Sequence, residues 1–443
     1  MCLNALLIVL IVALVLSSGV GVVHPAAGGG HTENTQGLPA SVAPESADSY
    51  VLEQGDVCQP IEPLSSGETV EEFYDYRSHE THPPDVDRMY SSYGTTHLQE
   101  DDTGILFLHE GPDGVSLVMV LDQVDGDSTG GLASVELVGL PLDSEWVVKN
   151  DGYDDGGSGT NIDEFDSGPG WATASWGWRE ARTSGGAING GLDGEFAVTI
   201  YPAFNDEAQL ADRADELIDA GLYDDGEIER LEALSGDDED PERTDLSLEN
   251  PITIRTGTCD GPSISYDRSA DGDIVTAHVA NADVGEPHSL IAATGSGGVE
   301  FGDLEVIPTS ETVSLEFTGS EPAVTEYGVD EAFTTLELTG EGIEDETTVH
   351  FAVEKATLES HGFEPGDVTL YERDGSEWSA VETELVDETA DDYRFVANTS
   401  TASAVTVTAS ESGLGLELEA TSRPVLAVVA GVVFSVFLWA RRR

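Results

Sequence analysis

Lysine is almost absent from this chain. Only Lys149 and Lys355 are lysines among its 17 basic residues, whereas 87 of its 443 residues are acidic, so the formal net charge is −70. Such a surface repels the phosphates of nucleic acids, and we expect no nucleic-acid partner. Acidic residues spread through a whole chain keep a protein hydrated in multimolar salt, where the Debye length is below about 3 Å and self-repulsion is screened. The composition therefore indicates a protein of an extreme halophile.

A high net charge is also typical of intrinsically disordered chains. Hydrophobic residues make up 39% of this sequence, and they recur in short apolar runs along its length. A chain that remains disordered lacks this apolar content. We therefore expect most of the chain to fold around hydrophobic cores.

Long apolar runs are confined to the two ends of the chain. Residues 424–440 carry no charge and are followed by three arginines at 441–443. This length forms roughly 25 Å of helix, near the lower limit for a bilayer, and the arginines favour the cytoplasmic side. The sequence therefore predicts a cell-membrane protein with a transmembrane helix at 424–440, a cytoplasmic basic end and an extracellular ectodomain. The alternative is a buried terminal segment of a soluble domain, but such segments rarely end on three consecutive charges.

The other apolar run lies within residues 1–23. Its central part, 3–16, has the length of a signal-peptide core, although no lysine or arginine precedes it. Two interpretations stay open, namely a cleaved export signal and a retained N-terminal anchor. Cys2 does not lie in a lipobox, so lipidation is not expected. Residues 24–50 are rich in small and polar residues and are predicted to form a flexible linker.

Cysteine is also scarce, with three residues in the chain. Apart from Cys2, these are Cys58 and Cys259, which both belong to the part predicted to be extracellular, where disulfides persist. A bridge between them would close a loop of about 200 residues and stabilise the fold by roughly 5 kcal/mol in the chain-entropy view. The alternative is a pair of unpaired buried thiols.

The predicted fold class is mainly β. Short apolar strands separated by glycine and aspartate clusters indicate two β-sandwich-like extracellular domains, at 51–261 and 262–410, followed by a spacer at 411–423. Each domain is long enough to bury a core of its own.

Two short helices are predicted in the first domain. The first covers residues 206–220, with Asn205 as a possible N-cap and Gly221 as its end. Its predicted apolar face consists of Leu210, Ala214, Leu217 and Ile218. The second runs through Ile228, Leu231 and Leu234 and ends near Gly236.

A resemblance to a known family emerges from residues 349–408. This stretch resembles the PGF-pre-PGF domain found in surface proteins of halophilic and methanogenic archaea, closely over 349–408 and loosely over 262–410. The residues that carry it are Phe351-x-Val353-x-Lys355-x-x-Leu358, Pro365-x-x-Val368-x-Leu370-Tyr371, Trp378, Tyr393-x-Phe395-x-Ala397-x-Thr399 and Ser403-Ala-Val-Thr-Val407.

The resemblance implies a surface module placed before a C-terminal sorting signal, with an S-layer or other envelope components as partners. In related proteins that signal contains Pro-Gly-Phe and is processed by an archaeosortase. Here the tail reads Thr421-Ser-Arg-Pro424 without Gly-Phe, which favours a retained membrane anchor. The family carries no catalytic residues to transfer. Residues 93–102 and 109–112 look like a module of haloarchaeal exported proteins, also without a known activity.

Histidines are the first place to search for metal chemistry. His79, His82, His97 and His109 are close in sequence, but His79 and His82 lie one residue nearer than the i,i+4 spacing of zincins. Pro83 and Pro84 also disfavour a helix there. We therefore interpret these histidines as ordinary surface or packing residues.

The segment 150–166 is rich in oxygen ligands and glycine, as a calcium loop would be. The EF-hand spacing is missed, and an acidic chain produces such loops by chance. The candidate calcium ligands are Asp151, Asp154, Asp155, Asp163 and Asp166.

Trp176 and Trp178 alternate along one predicted strand and share a face. Such a pair can stack on sugars, but large aromatics more often fill a β-sandwich core. Asn398 begins a glycosylation sequon, Asn-Thr-Ser, near a predicted strand end. Phosphate loops, dinucleotide fingerprints and Gly-x-Ser-x-Gly elbows are missing from the sequence.

The leading hypothesis is therefore a non-catalytic, membrane-anchored envelope protein that needs no cofactor. The alternative is a calcium- or glycan-binding, adhesin-like surface module. A metal-dependent surface hydrolase is a third hypothesis, with weaker support in the sequence.

Overall fold

Strands separated by tight turns dominate the computed structural model, which describes residues 49–78, 89–149, 161–322, 329–400 and 403–410. Strands make up 57% and helices 8% of these described residues. The mainly β class predicted from the sequence is therefore confirmed.

Two large sheets are formed by the residues up to 256. The first has the strand order β2-β1-β15-β12-β7-β10-β9, and the second has the order β14-β13-β5-β6-β11-β8, while β3 and β4 form a small ribbon. In chain order, β1 to β15 are Tyr50–Gln54, Val57–Ile61, Tyr76–Arg77, Ser91–Ser92, Thr103–Gly111, Gly114–Leu121, Gly130–Val138, Glu145–Lys149, Asn161–Gly168, Trp171–Arg179, Ser184–Asn189, Ala197–Phe204, Arg230–Ser235, Glu242–Leu246 and Ile252–Thr256.

Two further sheets are formed by the residues from 263 onward. Their strand orders are β16-β17-β20-β21-β27-β23-β24 and β18-β19-β22-β26-β25. In chain order, β16 to β27 are Ser263–Arg268, Ile274–Ala280, His288–Ser296, Val299–Pro308, Thr312–Ser320, Glu331–Glu341, Ile343–Glu354, Val368–Asp374, Glu377–Val381, Thr383–Glu388, Asp392–Thr399 and Ala404–Ala409.

The hydrophobic cores lie between facing sheets. Side chains of the first and second sheets share one buried cluster, to which β10 contributes Trp176 and β6 contributes Leu117. The outer face of the second sheet is covered by helix α1, Val70–Tyr74, through Phe73 and Tyr74. The third and fourth sheets share a separate cluster. In strands with one exposed face, such as β17, alternation of apolar and polar residues supplies the inner faces of these layers.

The helix predicted over 206–220 is only partly formed. Two 3₁₀ turns, Asn205–Glu207 and Ala211–Arg213, precede the helix α2, Ala214–Ala220. Asn205 has a positive φ of 57° and is not an N-cap, since its side chain bonds to the backbone N and O of Ile228, each at 2.9 Å. Gly221 ends α2 in a left-handed conformation, as predicted. The third helix, α3, spans Lys355–His361.

The prediction of a second helix through Ile228, Leu231 and Leu234 is wrong. These residues lead into and form β13, which pairs with β5 in parallel. Leu231 and Ala233 face the core between the first two sheets, whereas Leu234 faces the cluster under α1. A strand buried on both faces loses its alternating pattern, and its apolar spacing then imitates a helix.

Several predicted segments lie outside the described residues. These are the N-terminal apolar run at 1–23, most of the linker at 24–50, the spacer at 411–423, the predicted transmembrane helix at 424–440 and the basic end. Among the residues that the structure does describe, no helix combines the length and the apolar content that a membrane crossing requires.

Residues before 257 pack directly against residues after 262. Tyr266 of β16 is the central contact: its backbone N–H donates to Oγ1 of Thr199 at 2.9 Å, and its carbonyl accepts from the hydroxyl of Tyr201 at 2.6 Å. Gly139, with φ of 90°, is needed beside it, because a Cβ there would lie 2.4 Å from the Tyr266 ring. We call this contact region the seam.

Charged side chains reinforce the seam. Arg268 donates to Oε1 of Glu136 at 3.1 Å, and its guanidinium lies 4.1 Å from the ring centroid of Trp171. Arg394 likewise pairs with Asp143. Because both pairs join residues from the two sides, the halves are held in one arrangement.

Candidate functional site

The predicted cysteine pair is bonded in the structure. Cys58 on the edge strand β2 and Cys259 in the turn after β15 form a disulfide, with their Cα atoms 5.7 Å apart. The bridge ties the outer edge of the first sheet to the segment that leads into the second half.

The two tryptophans proposed as a sugar platform face the core. Trp176 and Trp178 share one face of β10, and each is 0% exposed. The ring of Trp176 packs edge-on against Phe165 and Trp146, at centroid distances of 5.9 and 6.4 Å. Buried rings offer no face to a sugar, so the ligand role proposed for these residues is wrong. Both tryptophans instead fill the core, which was the other interpretation of this pair.

Trp178 instead belongs to a polar network around Asp122, which is buried. The indole N–H donates to Oδ2 of Asp122 at 3.0 Å, and the hydroxyl of Ser128 donates to the same oxygen. The backbone N–H groups of Asp102 and Gln123 donate to Oδ1. Burial raises the pKa of Asp122, and these four donors oppose that rise. The network therefore holds the turn after β6 against the core.

Replacing this carboxylate should destabilise the fold strongly. Asp122→Asn keeps the shape and tolerates the positive φ of 72°, but it places an amide N–H₂ among groups that are themselves donors. We expect the free energy of unfolding to fall by about 3 kcal/mol, since buried donors lose their acceptor. Denaturant titration in multimolar salt measures this change. The matched control is Asp127→Asn, an exposed aspartate of the same turn; equal effects of the two variants would contradict the expectation.

The candidate calcium ligands are not assembled on the described part of β9. Asp163 and Asp166 are three residues apart on this strand, so their side chains point to opposite faces. Asp163 is half-buried, and Asp166 is exposed. The other three candidates, Asp151, Asp154 and Asp155, lie outside the described residues. Within the described ranges, no group of three or more metal-ligating side chains is arranged to hold an ion.

The two described histidines of the cluster pack around Phe73. His109 is 0% exposed, stacks on this ring at a centroid distance of 4.4 Å, and has Nε2 3.1 Å from Oγ of Ser66. Burial lowers the pKa of His109 and favours its neutral form. His97 lies edge-on to the same ring, with Nε2 3.0 Å from the carbonyl of Asp238. These are packing roles; His79 and His82 lie outside the described residues.

Asn398 lies near the end of β26, and its side chain is exposed. Its Oδ1 accepts a hydrogen bond from Oγ1 of Thr348 at 2.9 Å. The sequon therefore occupies a strand surface rather than a loop, and its glycosylation stays a prediction.

An unpredicted crevice opens along the seam, with a volume of about 530 Å³. One wall comes from the start of β12 and the end of β15, including Glu195 and Arg255. The other comes from β16 and from residues 283–291, with Asp303 of β19 beside them. Crevices between packed halves of a protein are common places for small-molecule sites.

The walls of this crevice are fixed by hydrogen bonds. Arg255 has a side chain that is only 3% exposed; it donates to Oε1 of Glu53 at 2.6 Å and to the carbonyl of Thr258 at 2.9 Å. On the other wall, the hydroxyl of Tyr266 accepts from the backbone N–H of Ile291 at 3.0 Å. The crevice is therefore preformed rather than assembled by side-chain movement.

Asp303 is one of the carboxylates that line this crevice, and its side chain is exposed. Its Oδ1 accepts from the hydroxyl of Ser289 at 3.1 Å. Burial by surrounding protein raises the pKa of Asp303, although solvent in the crevice still reaches the side chain. Nε2 of the nearby His288 accepts from the backbone N–H of Asp283 at 3.2 Å. Sequence reasoning missed these residues, because they come from distant strands and share no motif.

Comparison with known proteins adds no relative. No family model, curated protein or solved structure matches this chain. The function must therefore be argued from the residues and the geometry described above.

Proposed function

We propose that the chain is a non-catalytic, membrane-anchored cell-surface protein of an extreme halophile. It presents two β-sandwich-like extracellular domains, 51–261 and 262–410, on a helix at 424–440 whose basic end is cytoplasmic. The observation that carries the proposal is the uncharged segment 424–440 followed at once by three arginines. Its partners are the membrane and envelope components such as an S-layer, and nucleic acids are excluded by charge.

Two other observations support an extracellular location. The disulfide between Cys58 and Cys259 is of a kind that persists outside the reducing cytosol. The segment 1–23 has a signal-like apolar core and serves in this proposal as an export signal or an N-terminal anchor. The resemblance of 349–408 to the PGF-pre-PGF domain belongs to the same proposal, since that domain occurs in archaeal surface proteins.

The proposal places every described residue outside the cell and the C-terminus inside. A salt-tolerant protease added to intact cells should therefore remove an epitope tag inserted before Tyr50 and leave a tag after Arg443 protected. Immunoblotting of both tags, before and after treatment, measures the outcome.

Lysed cells provide the control, because both tags should then be cleaved. Loss of the C-terminal tag from intact cells, with the tag before Tyr50 retained, would contradict the proposed topology. Release of the protein without a carbonate or detergent wash would contradict the anchor.

A further inference from the structure

A buried histidine lies beneath the segment 62–75, which crosses the outer face of the second sheet and which we call the cover. The cover contains α1 and packs on the sheet through Leu64 and Phe73. His109 of β5 is 0% exposed, with its imidazole stacked on the Phe73 ring and Nε2 3.1 Å from Oγ of Ser66. Both of these partners belong to the cover, so the cover encloses the imidazole.

One nitrogen of this imidazole has nothing to bond to. Within the described residues, Nδ1 of His109 is buried and has no hydrogen-bond partner. In the neutral ring this leaves one lone pair or one N–H unused, whereas in the protonated ring both nitrogens carry a hydrogen and a positive charge is buried. A buried charge that is not fully paired costs far more than a buried neutral ring. Protonation therefore favours a state in which the imidazole is exposed to water.

The charged groups around His109 do not remove this cost. Burial lowers the pKa of the imidazole, and this effect exceeds the opposing effects of Asp113, in the turn after β5, and of Asp238, in the loop after β13. Oδ2 of Asp113 already accepts from the backbone N–H of Val70, at 3.2 Å. Other titratable groups on the surrounding elements are exposed or paired, namely Glu62, Glu68, Glu71, Glu72, Asp75 and His97.

The cover is attached less firmly than the strand beneath it. Its helix α1 spans five residues, and a helix of this length depends on packing for its stability. An isolated bridge joins the cover to β5, where the N–H of Leu64 donates to Leu108 and its carbonyl accepts from Glu110, each at 2.8 Å. In contrast, β5 is paired with both β6 and β13. Segments with few such bonds open before the whole fold does.

We propose that protonation of His109 releases the cover from the second sheet, as a reversible conformational switch that operates at acidic pH. Release exposes the imidazole to water and uncovers apolar side chains of the outer face, among them Phe107 and Val118. The inference goes beyond the proposed cell-surface role and does not depend on the membrane anchor.

The pH range follows from the direction of the pKa shift. A histidine whose pKa is lowered in the closed state stabilises that state fully above its unperturbed pKa of about 6.5, and this stabilisation decreases as the pH falls below that value. The protection of cover amides against hydrogen exchange should therefore fall by up to about tenfold for each pH unit below about 6.5.

Hydrogen exchange with mass spectrometry on the full-length protein, in detergent and multimolar KCl, measures this protection from about pH 7.5 to about pH 5, after correction for the intrinsic effect of pH on exchange. Amides of the cover, such as those of Leu64, Phe73 and Asp75, should lose protection, while those of β5 and β19 should keep it. Constant protection of the cover, or an equal loss in β5, would overturn the proposal.

Variants assign the effect to one imidazole. His109→Gln cannot be protonated in this range and should make the protection of the cover independent of pH. The matched control is His97→Gln, because His97 packs on the same Phe73 ring but is exposed; this variant should keep the native pH dependence. His109→Phe retains a ring against Phe73 and serves if His109→Gln misfolds. A native pH dependence in both His109 variants would contradict the assignment.

Discussion

Dilution from multimolar salt to about 0.1 M should unfold this protein, with loss of the β-sheet signal in far-UV circular dichroism. At the lower concentration the Debye length grows to roughly 10 Å, so carboxylates that were screened begin to repel one another. Glu344, Asp345 and Glu346, for example, are consecutive and exposed on β22. With 17 basic residues against 87 acidic ones, ion pairs can offset only a minor part of this repulsion.

A salt series on three proteins separates charge from other effects of salt. The variant Glu344→Gln, Asp345→Asn, Glu346→Gln should unfold at a lower salt concentration than the native protein. The matched control exchanges the same three residues without loss of charge, as Glu344→Asp, Asp345→Glu, Glu346→Asp, and should keep the native midpoint. Sucrose at low salt should not restore the fold. A native spectrum retained at about 0.1 M salt would contradict the charge argument.

Removal of the disulfide should lower the free energy of unfolding by about 5 kcal/mol in the chain-entropy view. Cys58 and Cys259 are separated by 201 positions in sequence, so the bridge restricts the unfolded chain strongly. Cys58 also lies on an edge strand paired only with β1 on its inner side. The double variant Cys58→Ser, Cys259→Ser, studied by denaturant titration in multimolar salt, measures this loss.

Two comparisons control for the substitutions themselves. Chemical reduction of the native protein should reproduce the double variant, and Cys2→Ser should have no such effect because the bridge remains. A double variant within about 0.5 kcal/mol of the native protein, the range of ordinary surface substitutions, would show that the bridge contributes little.

Strands were predicted best from the sequence where one face of the strand is exposed to solvent. Strands such as β17, Ile274–Ala280, alternate buried and exposed residues, and this pattern is visible without a structure. Prediction from this pattern failed at β13, because protein layers cover both faces of that strand. It also failed at 206–220, because the side chain of Asn205 bonds to Ile228, which is 23 residues further along the chain. Neither cause can be seen in local sequence.

The roles of side chains could likewise be predicted from the sequence only in part. The sequence could show that Trp176 and Trp178 share a face, but whether that face is covered depends on the opposing sheet. The crevice around Asp303 was not predicted at all, since its walls come from β12, β15, β16 and residues 283–291, which only the packing of the two halves brings together.

Composition and local pattern alone determined the mainly β class, the acidic, lysine-poor surface and the expectation that Cys58 and Cys259 pair. The β class and the acidic surface depend on residue type and on contacts between near neighbours, which sequence records directly. The disulfide joins residues 201 positions apart, and it was expected because both cysteines belong to the part predicted to be extracellular. The tertiary structure decided which aromatic and acidic side chains are buried, which strands lie between two layers, and where a crevice forms. Each of these depends on surfaces that come from segments distant in the sequence, because a side chain is buried only when a second surface covers it.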